Sequence, residues 1–597
     1  MHENIARVAE RSTLRLDAGL SVPVAMDGLR RILGALESEH VGIVKDVARR
    51  SPAAWNRLFP GTFEEAPLLD EVALSPSERR LHRESEQMFH VLNLAAEILC
   101  ETLRGTGRRL VIENAGACDL VSLRAVMRAQ EWARLLGEPL PVVLEGWSAR
   151  SLFSSERFEA RRQRFQVSLR ERLRVPGGGV ASADVVSSFS TSTEPEARYL
   201  QMAVDEGASL ELRLAAAGRA IRCCFFSTNY EGAMLAVAQG LSLLDRSDGP
   251  VSAEAIRAAW DELGQEKITA AVEIDREDLG NAEELRALFH RAEGVVLSYC
   301  GENDAALDAF GRGIACETGP LQRSHLYMFR ALSRIKRLGQ NEEAREEAYA
   351  GLRALSPVEG DKRRLHEAWL RNVVALTWFR AGKLESALGE ILQATRCVAD
   401  QHNASATHLR INLITNMSSI QEAAGKHKEA ISTWRTFERM KSAWDTNFTK
   451  HHRYRLGALM RLGGQVEEAL EQYDEAYRSA VALKDHFHQQ VIASDLGQLH
   501  LKQDRADVAR SWFEKATQHA RAIGDPFHVG EGLAGKWLCD GEPQDSALRA
   551  LGADSTWPKL SGRLQGALEK KDRTEVQKAM TPPHSKLNRP FDLVNLY

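Results

Sequence analysis

Cysteine is scarce and scattered in this chain, with eight among 597 residues, at positions 100, 118, 223, 224, 300, 316, 397 and 539. None forms a C-x-x-C pair and no histidine stands at zinc-ligand spacing, which argues against a disulfide framework or a zinc site and for reduced core thiols in a cytosol. Long apolar runs are missing too. No stretch approaches the roughly 18 uninterrupted apolar residues of a membrane span. The opening Met1-His2-Glu3-Asn4-Ile5-Ala6-Arg7 lacks the basic-then-apolar layout of a secretory signal, so a cytoplasmic protein is expected. Charge of one sign is not in excess: the formal net charge is -4, too small to advertise nucleic acid or an acidic membrane. There is no G-x-S-x-G elbow, no recognisable cysteine nucleophile and no G-x-x-x-x-G-K-[ST] phosphate loop. No catalytic residue, metal or cofactor is therefore expected.

What the chain has in abundance is repetition. Ala381-Gly382-Lys383-Leu384-Glu385-Ser386-Ala387, Ala424-Gly425-Lys426-His427-Lys428-Glu429-Ala430 and Gly463-Gly464-Gln465-Val466-Glu467-Glu468-Ala469 share a turn glycine followed five residues later by alanine. The frame recurs at Gly301 with Ala306 and at Gly339 with Ala344, then with Asp504 in place of glycine before Ala509, and more weakly at Ala547. These anchor alanines are 38, 43, 43, 39, 40 and 38 residues apart, the length of two helices with their turns. Four residues after the anchor stand mostly bulky groups (Phe310, Ala348, Ile391, Trp434, Tyr473, Phe513). Seven after it stand mostly small ones (Gly313, Gly351, Ala394, Phe437, Ala476, Ala516), and twelve before it again largely small ones (Gly294, Leu332, Ala375, Ser418, Gly457, Gly497). Small residues where helices cross, with a bulky one beside them, are what ridge-into-groove packing requires.

This pattern resembles the tetratricopeptide family, and its period of about 40 looks like the variant in large bacterial regulators and Rap-type peptide receptors. The fold class expected is mainly α: a tetratricopeptide-like α-α solenoid over 196–550 with a smaller N-terminal α/β remnant. Asn229-Tyr230-Glu231-Gly232-Ala233 with Val237 and Gly240 looks like an upstream copy, leaving room for one irregular repeat around 251–280. Residues 551–597 would supply a charged capping helix, Ser561 to Lys578, and an apolar tail ending Phe591-Asp592-Leu593-Val594-Asn595-Leu596-Tyr597.

Residues 1–150 have another texture. Leu110-Val111-Ile112-Glu113 and Pro141-Val142-Val143-Leu144 read as strands around a helix from Ser122 to Leu136. Over about residues 25 to 150 this resembles the second half of the ATPase core of large LuxR-type signal-transduction regulators, including its Asp-x-x-Ser-Leu, here Asp119-Leu120-Val121-Ser122-Leu123. The resemblance implies that Glu113 is the counterpart of the acid that helps to hold magnesium. Without a phosphate loop Glu113 has nothing to work on, so a degenerate remnant is expected. Residues 151–195 read as a basic helix, Ser155 to Arg174, whose arginines are interleaved with Glu156, Glu159 and Glu171 as on a solvated face, followed by a Gly/Ser-rich linker. The neighbouring Cys223 and Cys224 are expected to be packed, and His451-His452 and Asp485-His486-Phe487-His488 to be surface and helix-start polarity, since histidines at i, i+2 on a helix diverge.

In tetratricopeptide arrays the first helix of each repeat lines the concave surface, and partner contacts lie 18, 15, 11, 8 and 7 residues before the anchor alanine. The resemblance carries these offsets to Arg291, Tyr299, Lys336, Arg337, Asn372, Arg380, Asn412, Glu422, His451, Tyr454, Arg461, Gln498 and Lys502. Basic residues outnumber the one acid among them, which suggests an acidic or carboxylate-bearing peptide or protein partner, with Asn and Gln free to bond its backbone. That these are ordinary solvated positions has equal support. The leading reading is a scaffold or receptor without catalysis. The alternatives are a transcription-associated regulator, although no helix-turn-helix is visible and nucleic acid is not expected, and an accessory or catalytic component of a modification pathway.

Overall fold

A computed structural model describes residues 13–19, 24–66, 86–104, 108–151, 163, 167, 185–186 and 195–580, apart from 228, 248–249, 265–273, 275, 444–445, 484, 524, 542–543 and 555–557. Most of the basic helix and of the linker, and the whole apolar C-terminal tail, lie outside the described residues. At the N-terminus come β1 (Thr13–Asp17), α1 (Asp27–Glu39), α2 (Val41–Arg50), α3 (Pro52–Leu58), α4 (Glu86–Leu103), β2 (Arg109–Glu113), α5 (Leu120–Leu135) and β3 (Val142–Leu144). The strands form one parallel sheet in the order β1-β2-β3, with Leu16 beside Ile112 and Ile112 beside Leu144. Leu110, Val111 and Ile112 are all buried, as the middle strand of a sheet covered on both faces requires. The strand, helix, strand order of β2, α5 and β3 follows the sequence pattern; β1 is an addition to it. Two further short strands, β4 (Arg150–Ser151) and β5 (Val185–Val186), pair in parallel.

One carboxylate organises this domain. Asp119 caps α5 by accepting the Ser122 N–H (2.9 Å) and the Ser122 hydroxyl (2.7 Å), and it also accepts the Met26 and Gly28 N–H groups (2.8 and 3.1 Å) at the start of α1. The free N–H groups of a helix start are a natural anion site; here the chain's own buried side chain takes them. Burial pushes the Asp119 pKa up against these bonds.

The rest is helix. Four helices lead in: α6 (Pro195–Val204), α7 (Leu210–Phe226), α8 (Tyr230–Asp245) and α9 (Ala253–Glu262). Seven pairs follow, each made of an A helix and a B helix: α10 (Ala282–Tyr299) with α11 (Asn303–Ala315), α12 (Pro320–Ser333) with α13 (Asn341–Ala354), α14 (Gly360–Arg380) with α15 (Leu384–Cys397), and α16 (Ala404–Ala423) with α17 (His427–Arg435). The last three are α18 (Thr446–Leu462) with α19 (Val466–Ala482), α20 (His486–Lys502) with α21 (Ala506–Ile523), and α22 (Pro526–Asp540) with α23 (Asp545–Gly552). The expected irregular repeat at 251–280 is, among the described residues, only α9 and a 3₁₀ turn at Arg276–Asp278. The expected capping helix is two, α24 (Pro558–Glu569) and α25 (Arg573–Met580), with Lys571 at a positive φ of 54° between them.

The repeat frame is physical. All seven anchor alanines are buried. The residue five before six of them, from Gly301 to Asp504, is left-handed, with φ between 56° and 78°. This reverses the chain so that the next N–H reaches back five residues: Lys383 to the Trp378 carbonyl, Gln465 to Met460, Arg505 to His500 (2.9 to 3.0 Å). In the repeat of Gly339 the corresponding bond runs six residues back, from Gln340 to Arg334, because A helix α12 ends in a π turn, Arg334–Leu338. At two crossings the bulky residue of the B helix sits directly on the small residue of the A helix: a Cβ placed on Gly294 would lie 2.5 Å from Phe310, and one on Gly497 2.8 Å from Phe513. Where the small position after the anchor holds Phe437, α17 gives way at once to a 3₁₀ segment, Thr436–Ala443.

Successive A helices touch one another at α10–α12, α12–α14, α14–α16 and α20–α22, and the B helices α19 and α21 also meet, with Tyr477 edge-on to Trp512 at 5.0 Å; as in tetratricopeptide arrays, the A helices form the concave wall. Polar side chains stitch that wall from helix to helix. Arg291 meets His325 (2.7 Å), Ser324 meets His366 (3.1 Å), Asn416 donates to Asn372 (2.7 Å), Arg455 pairs with Glu422, Lys450 pairs with Asp485 (2.6 Å), and Gln490 donates to Asp525 (3.0 Å).

The N-terminal domain holds the array at two places. The buried Glu196 carboxylate, in the first turn of α6, accepts the Ala25 N–H from the domain and the Ser227 hydroxyl (2.5 Å) and Asn229 amide (3.2 Å) from the α7–α8 turn. Far along the chain, α5 packs on α21, and Asn93 of α4 donates to the Leu483 carbonyl (2.9 Å) while accepting from Arg128 of α5.

Candidate partner-binding groove

The residues named by the repeat offsets divide into those built into the wall and those standing at its surface. Arg291 is fully buried, held between His325 and Asp278 (3.4 Å). Tyr299 stacks on Tyr230 with centroids 4.9 Å apart. Glu422 is buried against Arg455, and Asn372 is committed to Asn416. Tyr454 and Gln498, only 3% and 2% exposed, lie inside the wall and not on an open surface. The Tyr454 hydroxyl donates to Asp495 (2.8 Å) and the Gln498 amide to the Met580 carbonyl (3.3 Å). Asn412 is half-buried on α16, and half-buried His451 stands edge-on to His488 at 5.0 Å. The fixed offsets find the correct helix but not the depth, because depth depends on what the neighbouring repeat places opposite.

Apart from Arg291, the Lys and Arg residues among them share one feature: each sits where an A helix ends. Lys336 and Arg337 are half-buried on the π turn after α12. Arg380 is the exposed last residue of α14, and its guanidinium donates to the Ile335 carbonyl of that same turn, which ties two repeats together at this edge. Arg461 is in the last turn of α18 and Lys502 is the exposed last residue of α20. Cations at helix C-termini are favoured by the helix dipole, and five of them in register line one edge of the wall.

At α18 and α20 the site is most fully built. Tyr454, Tyr473, Asp495 and Arg461 interact in one cluster, in which burial and then Asp495 push both phenols above their ordinary pKa. The largely buried Arg461 guanidinium lies beside the Tyr473 phenol and the Asp495 carboxylate, and of the two only Asp495 carries a charge. Lys502 is pushed down by burial and by Arg461, with Asp495 opposing.

The other candidates resolve differently. Cys223 and Cys224 are buried, and burial followed by the nearby Glu196 raises the Cys224 thiol well above its ordinary value. His452 is buried and stacked on Trp434 (5.9 Å). The Asp485 cluster is at a helix start, as expected, but it is buried and not on the surface: Asp485 caps α20, meets His488 Nδ1 at 2.5 Å and pairs with Lys450. Asp525 and His528 repeat this arrangement 40 residues later, a periodic Asp-x-x-His signal that the alanine frame overshadowed. No group of three or more metal-ligating side chains occurs among the described residues. Glu113 is paired with Arg15 (2.8 Å) and the start of α1 is filled by Asp119, so these residues do not fit a magnesium nucleotide. No described helix is long and apolar enough to cross a membrane.

No family model matches the chain, and no curated protein does. Among solved structures it is similar to the apo form of RapI at 11% identity, over 62% of this chain and 95% of that one, with a TM-score of 0.44. It is similar to a signal transduction ATPase with numerous domains from Pyrococcus horikoshii, which carries a tetratricopeptide repeat sensor, at 12% identity over 97% and 94% of the two chains, with a TM-score of 0.38. Aspartyl phosphate phosphatase F from Bacillus subtilis is similar at 14% identity over 63% and 92%, with a TM-score of 0.30. Likeness at this level says nothing of what the groove holds.

Proposed function

We propose that this tetratricopeptide-like solenoid is a scaffold or receptor that holds a peptide or protein partner, acidic in character, along its concave wall, without catalysis of its own. One observation carries the reading: Lys336, Arg337, Arg380, Arg461 and Lys502 stand in register at the ends of A helices, in a chain whose net charge is slightly negative. Each charge-assisted contact to a partner carboxylate contributes about 1.5–3 kcal/mol if shielded from water, and much less at an open surface.

The test is to replace Lys336, Arg337, Arg380 and Arg461 together by Glu and compare what the variant and the wild type retain from the native host. The variant is expected to lose the partner that the wild type keeps, and the milder K336E/R337E variant, which spares the bond of Arg380 to Ile335 and the largely buried Arg461, should weaken retention with its helical circular-dichroism signal intact; wild-type retention is expected to weaken with added salt. Retention at wild-type strength by the quadruple variant would move the interaction to the convex face or the N-terminal domain.

A further inference from the structure

Between B helix α11 and A helix α12 lies an open cleft of about 570 Å³. It is large enough for a small-molecule ligand, and none of its lining residues belongs to the set proposed to hold the partner. Its charges are separated into two poles. On α11, Asp304 and Asp308 stand one turn apart, both exposed, and neither makes a hydrogen bond or an ion pair among the described residues. The helix dipole accounts for an acid in the first turn, Asp304, but its effect has faded by Asp308.

Across the cleft stand Arg330, in α12, and Arg334, directly after it, with side chains only 20% and 24% exposed. They share a single carboxylate, Glu347 of α13, at 2.6 and 3.5 Å. Arg312, also on the rim, is matched by Glu293 (2.9 Å). The arginine pole therefore carries one positive charge in excess, and the aspartate pole two negative ones. Glu347 takes the Nη2 side of Arg330, while a Cβ built on Gly311, in the floor, would have Arg330 Nη1 as its nearest neighbour at 3.8 Å. That guanidinium thus turns a second N–H edge to the cleft, and Glu347 holds it there before any ligand arrives.

We infer that this cleft binds a free diamino acid, lysine or ornithine, with its α-carboxylate on Arg330 and Arg334 and its two ammonium groups on Asp304 and Asp308. One carboxylate and two ammoniums are what the two poles lack. Guanidinium forks suit a carboxylate, and carboxylates one helical turn apart, about 5–6 Å between Cβ atoms, suit amines joined by a short chain. The apolar stem of the ligand lies over Leu307 and the bare Gly311. A neutral amino acid leaves one aspartate unmatched, a diamine leaves the arginines unmatched, and an acidic amino acid sets a second carboxylate against the aspartates.

The test is calorimetric titration of the full-length protein with L-lysine and L-ornithine, against norleucine, cadaverine and glutamate. The better of the two diamino acids should bind at least about tenfold more tightly than norleucine, which lacks the side-chain amine, and than cadaverine, which lacks the carboxylate; glutamate should not bind. The double variant D304N/D308N replaces two carboxylates that hold nothing in the fold, and should bring the diamino acid down to the affinity of norleucine. Gly311→Leu should fill the floor and abolish binding without lowering the melting temperature, since leucine is the better helix former. No binding of either diamino acid at millimolar concentration, affinity for norleucine or cadaverine equal to theirs, or an unchanged affinity in D304N/D308N would overturn the assignment.

Discussion

Asp504 holds a backbone conformation that costs an ordinary residue about 1–2 kcal/mol and costs glycine almost nothing. Its φ of 56° matches the left-handed turn that glycine occupies in five other repeats. Asp504→Gly should therefore be neutral or slightly stabilising, whereas Gly425→Ala at a φ of 73° should destabilise by about 1 kcal/mol. Hydrogen exchange at the two turns checks both, and a stabilising Gly425→Ala would mean that the turn does not need its left-handed residue. These turns were legible because their requirement is local: one residue fixes the reversal whatever surrounds it. The buried state of Asp485, His488, Tyr454 and Gln498 was not legible, since burial at an A-helix position is decided by side chains about 40 residues away. At Asp525 burial is set in the same way, but the charge partner is local, three residues on. Burial alone would raise its pKa, yet the adjoining His528 brings it to about 2, a partnership that the Asp-x-x-His spacing carries once the pair is known to be buried.

At the scale of the element, the helix pairs follow from the spacing of small and bulky residues. Ala469 has no exposed surface and lies beside the closest approach of α18 and α19, where a Cβ on Gly457 would already be 3.2 Å from the Ala469 carbonyl. Ala469→Leu should overpack this crossing at a cost of about 1–3 kcal/mol. Because repeats couple mainly to nearest neighbours, exchange should rise in α18 to α21 and stay unchanged in α10 to α13. Uniform loosening, or none, would show the register to be wrong. Elements escaped the pattern where it was interrupted or too short to show. The π turn after α12 and the 3₁₀ segment around Phe437 keep the anchor spacing while changing the local winding. β1 carries only two leucines, Leu14 and Leu16, alternating with polar residues, too little for a strand to announce itself before β2 is known to lie beside it.

The whole molecule is a solenoid whose N-terminal domain is fastened at both the first helices and the α20–α21 region, and no local pattern reveals a contact such as Asn93 with Leu483, 390 residues apart. The two fastenings differ in kind. The far one is polar and includes the long Arg128 side chain, while the near one is closed by a single buried carboxylate, Glu196, among Ala25, Ser227 and Asn229. Burial raises the Glu196 pKa to about 7, with the Ser227 and Ala25 bonds and the charge of Arg57 opposing; Arg30 and the Cys224 thiol also face it. A carboxyl whose folded pKa lies above its unfolded value stabilises the fold fully below the unfolded pKa, near 4.5, and loses that contribution as pH rises through about 7. The junction should thus be tighter at about pH 5 than at about pH 8, by on the order of 3 kcal/mol. Asp119 is raised in the same direction, so pH dependence of the wild type alone does not assign the effect. Glu196→Gln does: it keeps the carbonyl acceptor for the Ala25 N–H, carries no charge at any pH, and should hold α1, α6 and the α7–α8 turn protected from exchange at pH 8 as well as the wild type does at pH 5. Wild-type exchange in those segments that stays flat from pH 5 to 8, after correction for the intrinsic rate, would show that Glu196 keeps its charge in the folded state and that the bonds from Ala25, Ser227 and Asn229 outweigh its burial.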